Sequence, residues 1–469
     1  MTDDSARTVE YWRQRAERVV QRRLQGTTLS AFNPNVDVLL HLNPQALANL
    51  LERNPQIDGQ RVQAASHTPP PAIHTHEDFL GVLLDRLREG KSLLIVSENL
   101  QLFDWLAAHF PARSSTLGGQ AGIMANQLSK LEARSVLYSP IFSRAQAEVM
   151  DPRVLFPRVG EDRLEIQPCQ SAAREGDPTR SPWIFEYAAG ETFDFGFTQV
   201  TTPRANRLIV VSRIPGLGMN FREDFVPWLP ELGRTVDTAF VAGYHLGGPE
   251  PGSPDVTRQY FAESAVALQK LRAHHADLPV HLEYVPMKEA AREREMLETI
   301  LPHVDSFGIN EAEIRHVLQL FGFSNEADSI LESETAATLF AGGLALLRRF
   351  ELNRIHIHNL GYHVLLLRRP YPRSLEAVRD AALFGSCVNA CRALYGREAA
   401  RDEVIAAASL PVSRVGLEQL LLLGPDGVVE GEDYVGAVVP TQVVDQPRIT
   451  VGMGDTISAA SYAMETIGS

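Results

Sequence analysis

An α/β fold, with a mainly parallel central sheet covered by helices on both faces and a smaller β-rich lid, is what the sequence predicts. Two patterns carry that expectation. Strand-like apolar runs alternate with helical patterns along most of the 469 residues, as when strands of one direction are joined through crossover helices. Between residues 164 and 197 a period of two continues without a helix, which marks an antiparallel insertion. Composition agrees: 44% hydrophobic and 22% charged residues lie near the globular mean, excluding disordered, collagen-like and coiled-coil chains.

The opening, residues 9–24, sets Val9, Trp12, Val19, Val20 and Leu24 among charges at near-helical spacing, so an amphipathic surface helix is expected. Residues 29–40 read as one strand that ends in polar groups, with Asn33, Asn35 and Asp37 at its exit, where α/β proteins present ligand groups. Further strands are expected at 92–96, 135–138, 207–212, 238–243, 280–285, 306–309, 354–358 and 436–440. Helices are expected at 78–89, 254–274, 287–301 and 311–320. Pro69, Pro70 and Pro71 bar helix and make 67–73 a short loop. One large domain over residues 1–469, interrupted by lid segments near 37–45 and 160–205, accounts for the pattern.

Forty-four basic against 58 acidic side chains leave a formal charge of −14, which argues against a surface that neutralises nucleic-acid phosphates. A local basic cleft for a small anion is compatible with it. Cys169, Cys387 and Cys391 cannot all pair, and the last two lie one helical turn apart in an apolar stretch. Reduced, buried thiols are expected there rather than a metal site. Residues 1–23 mix Asp3, Asp4, Glu10 and Glu17 with arginines and hold no apolar export segment. The longest apolar run, 335–347, falls short of the ~20 residues that span a bilayer and reads as a buried helix. The expectation is a cytoplasmic protein, monomer or small homo-oligomer, without nucleic-acid or membrane partners.

Chemistry concentrates in Val451-Gly-Met-Gly-Asp-Thr-Ile-Ser. Gly452 and Gly454 permit a tight turn, and the free N–H groups of the helix that follows point into one small volume that favours an anion. Asp455 at that point supplies a carboxylate able to take a proton from an alcohol attacking a phosphoryl group. The same pattern also arises as a Gly-rich turn whose Asp caps a helix.

Set beside Asn33-Pro-Asn-Val-Asp, Gly118-Gly-Gln-Ala-Gly-Ile-Met-Ala-Asn, Ser171-Ala-Ala-Arg-Glu-Gly-Asp-Pro, Val304-Asp-Ser-Phe-Gly-Ile-Asn-Glu-Ala-Glu-Ile and Ile357-His-Asn-Leu-Gly-Tyr, that motif resembles the ADP-dependent sugar kinases. These are the glucokinases and phosphofructokinases of the ribokinase-like superfamily. The blocks run in family order from about residue 29 to 465. The resemblance implies a ribokinase-like three-layer αβα domain with a lid. It also implies Mg²⁺ and transfer of the β-phosphoryl of ADP to a sugar hydroxyl, giving AMP.

It further implies residue roles. Asp455 is the expected base, and the amides of Gly452, Met453 and Gly454 the anion hole. Asn35, Asp37, Gly119 and Gln120 are expected sugar contacts, with Glu98 at the selectivity position and Arg174 as a cationic contact. Arg207 is expected on the nucleotide phosphates, and His358 and Val444 in the adenine pocket. Glu283, Asn310 and Glu313 are expected near the metal, through water if not directly. Glu311 and Glu313 also fit a plain helix start. Glu98 would accept from glucose hydroxyls and repel a sugar phosphate, which places glucose and its 6-hydroxyl slightly ahead. Arg174, Arg213 and Arg222 keep fructose 6-phosphate, or both sugars, close behind. A catalytically silent nucleotide- or sugar-binding regulator is the reading from another class. The joint presence of Asp455, both glycines, Asn310 and Glu313 speaks against it.

Overall fold

Eleven strands form the larger sheet of the computed structural model, which describes residues 3–111, 113–248, 253–423 and 425–469. In spatial order they are Val428–Glu430, Tyr434–Pro440, Tyr362–Arg368, Arg354–His358, Ser306–Asn310, Val280–Glu283, Thr238–Val241, Thr27–Ala31, Arg134–Tyr138, Leu155–Val159 and Leu164–Pro168. From Arg354–His358 to Leu155–Val159 every neighbour is parallel, and both edges turn antiparallel. Central strands such as Thr238–Val241 and Val280–Glu283 are buried throughout, as a sheet covered on both faces requires.

The two faces differ in chemistry. Ile357 and Leu366 meet Gly343 of the helix Ala336–Arg349, whose burial agrees with the expectation for 335–347. The opposite face carries Arg354 and His281 against Tyr462 of the last helix, Met453–Ile467. That helix packs on Leu375–Tyr395 and Gln120–Lys130, with Asp3–Val19 outside them. Arg354 is fully buried, and its Nε donates to Glu465 at 2.9 Å. Cys169, Cys387 and Cys391 are all buried and free. Among the described residues no helix is long and apolar enough to cross a membrane.

A second sheet of six strands lies apart, in the order Ala72–Ile73, Leu93–Ser97, Asn206–Ser212, Pro182–Tyr187, Asn35–His41 and Ser114–Gly118. It has its own core, in which Val38, Leu83, Phe185 and Leu208 meet. The strand expected over 29–40 is therefore two strands in two sheets. Pro34, which lacks an N–H, stands where the chain leaves one ladder for the other. Of the segments expected near 37–45 and 160–205 to form the lid, Asn35–His41 and Pro182–Tyr187 belong to the smaller sheet and Leu164–Pro168 does not. Leu164–Pro168 pairs with Leu155–Val159 at the edge of the larger sheet, and its alternation reflects an edge exposed to water. The smaller sheet instead takes in the strands between 72 and 118. Their crossover helices, His76–Glu89 and Leu100–His109, make that stretch look like more of the main α/β winding. The chain crosses between the sheets near Pro34, Gly119, Ser181 and Arg213.

Truncating Glu465 to Ala would strand a fully buried guanidinium. We expect Glu465→Ala to lose about 3–5 kcal/mol of stability, visible as a lowered Tm, with Glu465→Gln losing less. Equal melting of Glu465→Ala and the parent protein would contradict it.

Candidate active site

Four polar residues stand at or just past the carboxyl ends of parallel strands: Asn33, Glu283, Asn310 and His358. Onto the same edge come two helix N-termini, Gln120–Lys130 and Met453–Ile467. Their N-caps, Gly119 and Gly452, have φ of 75° and 72° and no side chain to cap with; Asn33 Oδ1 takes the Ala121 N–H at 3.2 Å, while the first N–H groups of Met453–Ile467 stay available. A Cβ at Gly119 would strike the Asn33 carbonyl, which is why glycine is needed there. Between these elements opens a cleft of about 560 Å³ that Asp455, Glu283, Glu313, Gln120, His358 and Val444 help to line.

Charge in the cleft is unevenly balanced. Glu283 is 4% exposed. Burial favours its protonation, but His281 and His358, each donating through Nε2 at 3.1 Å, win and hold it at about 2. Asp455 is pushed the other way, up to about 7, by burial first and then by the charge of Glu283; Arg392, His358 and a bond from Gln120 only partly offset this. Glu313 is likewise raised to about 7, chiefly by burial. Arg392 stands behind the turn, donating to the Val451 carbonyl at 3.3 and 3.4 Å and pairing with Glu398 at 3.0 Å.

Past Gln120 the lining turns to acceptors. Asn35 Oδ1, Asp37 Oδ1 and Gln120 Oε1 are buried without partners, and burial lifts the Asp37 carboxyl to about 6. Hydroxyl groups, as donors, would satisfy them. Nearby the Arg180 carbonyl accepts from Val36 N at 3.0 Å, while the Arg180 guanidinium, 4% exposed, reaches only the Leu246 carbonyl at 3.4 Å. Among the described residues no carboxylate pairs with Arg180; burial, then the nearby Arg213, lowers it to about 10.

The structure brings most of the expected residues together and sets Arg207 and Arg174 apart from the cleft. Arg207 opens the strand Asn206–Ser212 and lies opposite Glu186, at the end of the smaller sheet away from Asn35. The sheet direction sends Arg213, not Arg207, to the cleft side, 3.8 Å from Glu98. His358 turns its ring to Glu283 beside Gly454. Arg174 is engaged by Asp177 at 2.7 Å and the Pro140 carbonyl at 2.6 Å. Asn310 caps its own helix, accepting from Ala312 N at 3.0 Å and Glu313 N at 2.9 Å. Asn99 is likewise used as a cap, accepting from Gln101 N at 3.1 Å, while Glu98 beside it pairs with Arg213. Sequence reading missed Arg180 and Arg392; an arginine before a strand or inside a helix carries no local sign that it will be buried.

No three His, Cys, Asp or Glu among the described residues converge tightly enough to ligate a metal directly. A hydrated divalent cation nevertheless fits. Glu283, Glu311, Glu313 and Asp455 line one cleft, and four carboxylates around one space suit an ion that keeps its water shell.

Residues 27–464 match the model of the ADP-specific phosphofructokinase/glucokinase conserved region. The chain belongs to that family and is an ADP-dependent sugar kinase. It is 30% identical to the ADP-specific phosphofructokinase of Pyrococcus furiosus, over 92% of this chain and 95% of that one. To the ADP-dependent glucose/glucosamine kinase of Pyrococcus abyssi it is 28% identical, over 97% and 98%. The crystal structure of a phosphofructokinase from Pyrococcus horikoshii with AMP superposes with a TM-score of 0.87 at 28% identity, covering 94% of this chain and 98% of that one.

The raised Asp455 has a stability signature. Between about pH 4 and about 7 the folded protein keeps a proton that the unfolded chain has released, so this group's contribution falls as pH rises through that window. Asp455→Asn should therefore melt above the parent protein near pH 8, with the gap closing toward pH 4. Melting curves across pH check this, and a gap that does not change with pH would place the strain elsewhere.

Proposed function

We propose that the protein phosphorylates fructose 6-phosphate, attaching the β-phosphoryl of ADP to the sugar's 1-hydroxyl and releasing AMP. The buried guanidinium of Arg180 carries the choice of acceptor. A buried cation that pairs with no carboxylate among the described residues, its backbone joined to Val36 between Asn35 and Asp37, suits a sugar that is itself an anion. The likeness to relatives named ADP-specific phosphofructokinase supports the same reading. Glucose is the second reading, favoured by Glu98 at the cleft end of the smaller sheet and by the glucose/glucosamine kinase relative.

Asp455 takes the proton as the sugar oxygen forms its bond to the β-phosphorus. The bond from that phosphorus to the bridging oxygen breaks, and AMP leaves with the electron pair. The N–H groups at Gly452, Met453 and Gly454 face the charge that gathers on the transferred group. Gln120, bonded to both Asp455 and the Glu283 carbonyl, holds the base toward the acceptor side. Glu283, Glu311 and Glu313 would hold Mg²⁺ through water, and the ion would neutralise diphosphate charge. Arg392 keeps the Val451 carbonyl turned away from the anion site. Approach of the smaller sheet, which brings Asn35 and Asp37, would exclude water as a competing acceptor.

The deciding assay is a matrix of ADP and ATP against fructose 6-phosphate and glucose, read as AMP or ADP formed. We expect the ADP and fructose 6-phosphate pair to dominate; faster glucose turnover reverses the choice, and binding without turnover favours the regulator. Asp455→Asn should lower kcat by roughly 10²–10⁴-fold with little change in ADP affinity. In the parent protein kcat/KM should rise with pH up to about 7, because only the ionised carboxylate accepts the proton. Arg180→Met should raise the KM for fructose 6-phosphate about tenfold or more and leave that for ADP nearly unchanged.

A further inference from the structure

Glu293 is a fully buried carboxylate that the reaction just described does not use. It sits in the first turn of the helix Ala290–Ile300 and does not line the cleft. Donors from two other segments converge on it. Its Oε1 accepts from the Tyr284 hydroxyl and from Met287 N at 2.8 Å, and its Oε2 lies 2.7 Å from His316 Nε2. A carboxylate only accepts, so His316 carries a proton on Nε2.

Both segments lead to the acidic wall of the cleft. Tyr284 follows Glu283 directly, where Val280–Glu283 leaves the sheet. His316 stands about one turn beyond Glu313, on the same side of the helix Glu311–Leu320. The Glu313 carboxyl feels the charges of Glu283 and Glu311, and like charges on separate segments push those segments apart when no cation lies between them. The ladder between the two strands stops where Tyr284 N donates to the Gly308 carbonyl at 3.1 Å. Past that bond a buried link runs through Glu293. Apolar packing would hold the segments at less electrostatic cost, but several donors on one carboxylate fix direction as well as distance.

We propose that Glu293 is a positioning residue for the cation: it holds Glu283 at a set separation from Glu311 and Glu313, and so fixes how tightly the cleft takes a hydrated divalent ion. This rests on the reading of the cleft as a site for a nucleotide with Mg²⁺.

His316 offers the test least harmful to folding, because its side chain is 41% exposed. His316→Leu removes the donor, whereas His316→Gln sets an amide N–H at nearly the same reach. Calorimetry with Mn²⁺ in the presence of AMP, and the rise in Tm on adding Mg²⁺, read the cation; kinetics give the KM for fructose 6-phosphate. We expect His316→Leu to weaken Mn²⁺ binding about tenfold and to shrink the Mg²⁺-dependent rise in Tm, with the KM for the sugar unchanged. His316→Gln should stay within about twofold of the parent protein, and Glu293→Gln, where it folds, should lose at least as much as His316→Leu. Unchanged Mn²⁺ affinity in His316→Leu, while the parent protein binds the ion, overturns this inference alone. Equal losses in His316→Leu and His316→Gln overturn it as well, since they would follow from the lost packing of the ring rather than from the lost donor. A parent protein that neither binds Mn²⁺ nor gains Tm from Mg²⁺ overturns the cation reading of the cleft and this inference with it.

Discussion

One buried negative charge dictates the arrangement around the last helix. Glu283 stays ionised under 4% exposure because two imidazoles donate to it, one from its own strand and one from the exit of a strand two places along the sheet. A side chain at position 454 would press on the His358 ring that Glu283 holds, so Gly454 eases the approach of the helix N-terminus. Burial first and then the same charge raise Asp455 to about 7, making it a stronger base than an ordinary aspartate. Glycine at 454, histidine at 281 and 358, and the altered aspartate are consequences of one carboxylate.

Beneath that carboxylate a polar row crosses the sheet. His281, Ser306 and Arg354 are direct cross-strand partners, joined through the Ser306 hydroxyl at 2.8 Å on either side. Arg354 continues to Glu465, which also accepts from Tyr371. Apolar residues of equal volume would make a core at least as stable, since burying ions costs more than pairing them returns in many proteins. What the row supplies is register. A slip of one residue in any of the three strands would turn its polar member onto the apolar helix face and leave the others unpartnered. Register in turn sets the level at which Glu283, Asn310 and His358 leave the sheet, so the row fixes the height of the reacting groups.

Much of this was legible in the sequence, for a physical reason. Strand and helix periods are local, so the elements and their order could be read, Arg354–His358 and Glu311–Leu320 to the residue. The Gly-x-Gly-Asp turn and the uncapped helix behind it are local too. Membership of a sheet is not local. Leu164–Pro168 and Pro182–Tyr187 alternate alike yet belong to different sheets, and the small strand Ala72–Ile73 hides next to a run of prolines. Direction is also invisible until strands pair: the resemblance put Arg207 on the phosphates, whereas its strand carries Arg213 to the cleft side. Arg180 could not be singled out at all, because what marks it is the lack of a carboxylate partner in three dimensions.

A chain with a net charge of −14 nevertheless has to draw in an anionic nucleotide and bring it to a sugar. Long-range attraction cannot do this, and at physiological salt it need not, because charges more than about 8 Å apart are largely screened. Only nearby groups count, and they are sorted by position. Arg180 and Arg213 gather on the acceptor side; Arg392 and two helix N-termini stand at the turn; the carboxylates of Glu283, Glu311 and Glu313 lie on the donor side. Acidic groups against a diphosphate are repulsive in isolation, so the donor side is complementary to a nucleotide only when a divalent cation accompanies it. The acceptor side needs no such companion, since its cations belong to the protein. That asymmetry permits the two substrates to be held by different means within one cleft, with Asp455 at the boundary between them.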